Sequence, residues 1–71
     1  MPFSSLTDPA DLARSQAALE EAWKDVGPSV KSKAQQHERE RLAYIVAALA
    51  VVVADEHEIA RQAADMFRLT A

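Results

Sequence analysis

Two histidines stand among carboxylates in this 71-residue chain, and either cluster is where metal or proton-transfer chemistry would be sought. Asp55, Glu56, His57 and Glu58 are consecutive. A helix sends adjacent side chains in different directions, whereas ligands on one helix need a spacing of three or four. The string is better read as a helix start, with Asp55 accepting from free amides and Glu58 as its reciprocal partner. His37 is flanked by Glu38 and Glu40 but lacks a second histidine at ligand spacing, and Arg41 four residues on would repel a cation. No metal or cofactor is expected. There is no cysteine, the serines are assigned to termini and turns, and no histidine-carboxylate pair stands beside one, so the chain reads as a non-enzyme.

Arg61, Gln62 and Arg68 would form the exposed reading face of a helix-turn-helix if a tight turn preceded them. Asp65 sits among those arginines, and Asp55, Glu56 and Glu58 crowd the helix end that would approach phosphate. With a net charge of −3, nucleic acid is not the expected partner, and a DNA-binding regulator is the alternative reading. His37-Glu38, near the start of a helix expected to dimerise, resembles the phospho-acceptor segment of sensor histidine kinases. That resemblance implies phosphotransfer on His37. The chain departs from the pattern at Arg39, where an apolar residue is usual, and has no proline downstream; a solvated charged helix face explains the same residues.

Three helices are expected to carry these residues. Asp8-Pro9-Ala10-Asp11 combines a cap, a proline suited to the first helical position and an acid at the positive end, and predicts a helix over about 9–26. Leu12, Leu19, Ala22, Trp23 and Val26 fall on one stripe of it, while Arg14, Ala17, Glu21, Lys24 and Asp25 point elsewhere. Gly27, the only glycine, is followed by Pro28, the pairing expected where a helix closes with a left-handed residue and cannot resume. Ser32 and Gln35 are spaced as a capping box for a second helix over about 33–53. Asp55 and Glu58 repeat the signal for a third over about 56–69, with Ile59 packing back against Ala54. Its apolar face is Ile59, Ala60, Ala63, Met66 and Phe67. Apolar spacing continues in phase across Ala54 and Asp55, so one unbroken helix is the alternative; the cap and its partner favour a turn.

The middle helix sets the strongest demand. Leu42 to Ala54 is thirteen residues without a charge. As a helix it would reach about 20 Å, short of a hydrocarbon core about 30 Å thick, so no membrane span is expected. At about 100° per residue, Leu42, Ile45, Val46, Leu49, Val52 and Val53 share one side, and Ala43, Ala47, Ala50 and Ala54 a second. Tyr44 and Val51 take a third direction. Two neighbouring helices cover two directions, which leaves the third for a second copy of the chain. The expected fold is therefore all-α, a single domain of three helices pairing through the central helix into a homodimeric bundle. Tyr44, Ala47, Ala48, Val51 and Ala54 are its expected interface, and the bland alternative is a monomer with Tyr44 and Val51 partly exposed.

A chain this small buries only about 60% of its unfolded surface and needs a staple; without cysteine, oligomerisation is the one left. Residues 1–7 read as a flexible tail with no leader or anchor, and the absence of cysteine suits a reducing compartment, so a cytoplasmic protein is expected. Charge is uneven: residues 29–41 carry four basic and two acidic side chains, residues 55–71 two basic and four acidic. Read whole, the string ERERLAYIVAALAVVVADEHEIARQAADMF, Glu38 to Phe67, resembles the C-terminal half of small uncharacterised helical proteins of alphaproteobacteria. It implies a bacterial helical module, with no functional residues to transfer. The expected role is a homo-oligomeric accessory or regulatory module that also presents helix surfaces to an unknown protein partner.

Overall fold

The apolar periodicities place three helices, and a computed structural model, which describes residues 9–70, shows them as α1 (Pro9–Val26), α2 (Gln35–Ala50) and α3 (Glu56–Leu69). Asp8 and the segment 1–7 lie outside the described residues. Short 3-10 turns at Gly27–Ser29 and Ser32–Ala34 link α1 to α2, and a five-residue turn links α2 to α3. Among the described residues there is no strand.

Polar contacts between the helices fix their sense. Arg14, early in α1, donates to the Ala50 carbonyl at the end of α2 at 3.0 Å. Arg39, early in α2, reaches Glu20 at 3.5 Å and lies over the Trp23 ring late in α1, so α1 and α2 are antiparallel. Arg41 bonds Thr70 at 2.6 Å and stacks over Phe67, which closes α2 and α3 into an antiparallel hairpin. Glu21 with His57 and Asp25 with Arg68 follow the same order along α1 and α3.

The core is built from one stripe of each helix: Ala18, Leu19, Ala22 and Val26; Leu42, Ala43, Val46 and Ala50; Ile59, Ala60, Ala63, Ala64 and Phe67. Leu12, Trp23, Ile45, Leu49 and Val53 pack around it half-buried. Ala18, Ala64 and Ser15 join the buried set although the sequence reading left them out. Ser15 is fully buried in the middle of α1, which corrects the assignment of every serine to a terminus or turn.

Four local expectations are corrected. Gly27 has no positive φ; it starts a 3-10 turn, and a Cβ there would come within 2.8 Å of the Trp23 ring. Ser32 caps nothing, since its own 3-10 turn delays the α-helix to Gln35, whose amide reaches the Val30 carbonyl instead. At the other end α2 stops at Ala50, three residues early. The amides of Val52 and Val53 both turn onto the Leu49 carbonyl, and Arg14 takes the Ala50 carbonyl, which satisfies the last acceptors and ends the helix. Three consecutive β-branched residues oppose continuing it. Val52 consequently leaves the core row and is exposed, and Met66 on α3 is also largely exposed.

The turn before α3 forms as read, so α2 and α3 are separate helices. Asp55 has extended backbone and its carboxylate accepts from the Glu58 amide at 2.9 Å. The reciprocal half of the box is absent: the Glu58 carboxylate accepts from Arg61 and Gln62. Ile59 is buried in the core while Ala54 is exposed, so the expected staple between them gives way to core packing.

Candidate self-association surface

Once α1 and α3 have covered their sides of α2, a third side remains open. Tyr44 is 61% exposed, Val51 76% and Val52 78%; Met66 and Leu69 on α3 are 43% and 85% exposed. These five are the exposed large apolar side chains among the described residues, and all belong to α2, the following turn or α3. None lies on α1. Of the residues read from sequence as an interface, Tyr44, Ala48, Val51 and Ala54 are exposed, and Ala47 is half-buried on the flank.

Helical geometry joins them. Glu40, Tyr44 and Ala48 are spaced by four and lie on one line along α2, with His37 beside it at about 100° per residue, and Val51 and Val52 follow in the turn beyond its end. Ile45 and Arg41 lie on the α3 side of that line, as the Arg41 contacts with Phe67 and Thr70 show. On α3, Met66 and Gln62 lie on the side away from Arg68, whose contact with Asp25 faces α1, while Leu69 is about 200° around from core-facing Phe67 and points outward. The surface therefore spans the α2–α3 hairpin, wider than the α2 stripe that the sequence suggested. Met66 was missed because it was counted as core.

Several charges bordering this surface are already matched. Arg41 makes a two-pronged contact with the Glu38 carboxylate at 2.8 and 3.0 Å. The arginines once considered for base reading are engaged as well: Arg61 with Glu58 and Asp65, Arg68 with Asp25 and Asp65. Gln62 donates to Glu58. Hydrogen bonds from Arg61 and Gln62 hold the Glu58 carboxyl below its usual range, and the same carboxylate raises Arg61.

The two histidines lie apart. His37 is exposed on the N-terminal turn of α2. His57 faces Glu21 on α1, with Nδ1 2.7 Å from the carboxylate, and that hydrogen bond and charge hold its pKa above 6.5, with smaller contributions from Asp55 and Glu56. Among the described residues no group of three or more histidine, aspartate or glutamate side chains is placed to hold a metal ion. A depression of about 210 Å³ between α1 and α3, lined by Glu21, Ala22, Asp25, Ala60 and Arg61, contains no histidine or hydroxyl. No helix among the described residues is long and apolar enough to cross a membrane. Comparison of the chain with protein-family models, with curated proteins and with solved structures gave no match to any of them.

Proposed function

We propose that this chain is a non-enzymatic helical module that works as a homodimer, pairing through the open side of α2 and leaving its charged outer faces to a further protein partner. The observation that carries this reading is the segregation of exposed apolar side chains: five large ones on the α2–α3 hairpin and none on α1. Scattered single apolar residues are ordinary on a monomer, whereas a contiguous patch marks an interaction site. A chain without cysteine suits a bacterial cytoplasm, where paired helices rather than disulfides would supply the missing stability.

Light scattering after gel filtration, repeated across dilution, tests the proposal directly. Twice 7.8 kDa at the higher concentrations, falling to 7.8 kDa for Tyr44→Glu or Val51→Glu with unchanged helix content, is the expected result. A mass of 7.8 kDa at every concentration would remove it.

A further inference from the structure

We infer that the two copies pair antiparallel about a two-fold axis beside Ala48, α2 against α2, with Met66 of α3 flanking the contact. This geometry rests on the self-association proposed above and adds its sense, register and extent. Shape gives the first argument. Along the open line of α2, exposed Ala48 is a notch with Tyr44 on one side and Val51 and Val52 on the other. An antiparallel pair centred there lets the backbones approach at the notch and sets each Tyr44 ring against the other copy's valines. A parallel pair would set Tyr44 on Tyr44 and leave the two alanines facing across a gap.

Charge gives the second. The segment leading into and opening α2, residues 29–41, is net basic, while Asp55, Glu56 and Glu58 follow its end. An antiparallel pair brings basic starts to acidic ends and opposes the helix dipoles, whereas a parallel pair stacks like on like.

Area gives the third. At their exposures Tyr44, Val51 and Val52 present on the order of 400 Å² per chain, about half of the roughly 800 Å² that each partner contributes to a standard interface. Met66 raises this to about 500 Å², and the half-buried Ile45 adds to it. Pairing of useful strength therefore needs the α3 flank.

Because the chain has no cysteine, single-cysteine variants read the geometry cleanly. Under diamide, Ala48→Cys should convert rapidly to a covalent dimer. Tyr44→Cys and Val52→Cys should each stay uncoupled alone and form a mixed dimer when combined. Self-coupling of Tyr44→Cys or Val52→Cys as fast as Ala48→Cys would show a parallel pair, and no coupling at Ala48 in a chain that still weighs as a dimer would move the axis elsewhere; either overturns the inference while leaving self-association standing. A wild-type chain that stays at 7.8 kDa overturns both. For the flank, Met66→Glu should weaken the dimer about tenfold or more by sedimentation equilibrium, with circular dichroism unchanged. An unaltered dissociation constant in Met66→Glu would exclude α3 from the contact.

Discussion

Gly27 occupies its position because of what stands beside it. Its φ is not positive, so backbone freedom is no reason for glycine there, but a Cβ would lie 2.8 to 3.0 Å from three atoms of the Trp23 ring. That ring is held in turn beneath the Arg39 guanidinium, 5.9 Å from its centroid. Gly27→Ala gains about 0.4 to 1 kcal/mol from a less flexible unfolded chain and loses about 1 to 3 kcal/mol to overpacking, so a net loss near 1 kcal/mol is expected. Urea denaturation checks it, and in a Trp23→Leu background the same change should become neutral or stabilising. The Gly27-Pro28 pair was legible as a helix stop, but the ring that demands the glycine was not, since no local pattern reports a clash between side chain and backbone four residues apart. His57 gives a second test at this scale. Glu21 raises its pKa above 6.5, so its contribution to stability is complete below the unfolded value and fades as pH rises through the higher folded one. Both partners are well exposed, which makes the effect small. Melting temperature should fall slightly between pH 6 and 8 in the native chain, and Glu21→Gln should flatten that slope; an equal slope in both would assign it to other groups.

Helices α1 and α3 take the bounds that caps and periodicity predicted, while α2 loses residues at both ends, and the difference is physical. Propensity and capping are local, but α2 ends where Arg14, thirty-six positions away in sequence, takes the Ala50 carbonyl. Val52 thereby leaves the row it shared on paper with Leu42, Val46 and Leu49. A charge at Val46, which has no exposure, should unfold the chain, and Val52→Asp should leave helix content intact. Thermal melts of the two variants at high dilution, where pairing contributes nothing, compare them, and a Val52→Asp chain less stable there than the native one would return that residue to the core. Ser15 marks the opposite kind of miss. It lies fully buried on the core row of α1 with Ala18 and Ala22, and its hydroxyl has no hydrogen-bond partner. Removing an unpaired buried hydroxyl and restoring the best helix former should make Ser15→Ala about 1 kcal/mol more stable. A destabilised Ser15→Ala chain would mean that the hydroxyl is satisfied in solution.

For the molecule as a whole, the composition of the core sharpens the demand for a partner. Seven of the thirteen buried apolar side chains are alanine, which lets the helices approach closely but removes little apolar surface from water. The sequence displayed this in its alanine stripe, although it gave the bulky row of α2 more cover than three helices provide. A thin core leaves a lone subunit near the limit of stability, so dimerisation and folding should be linked through mass action. Each tenfold rise in protein concentration adds about 1.4 kcal/mol per dimer, or roughly 3 to 6 °C in melting temperature for a domain of this size. Calorimetry over a hundredfold range of concentration should show that climb. Val51→Glu, exposed in the single chain and central to the pair, should lower the melting temperature at high concentration and abolish its dependence on dilution. A native chain that melts at one temperature throughout the range would place all of its stability within the three helices of a single subunit, and the open side of α2 would then contribute nothing to the fold.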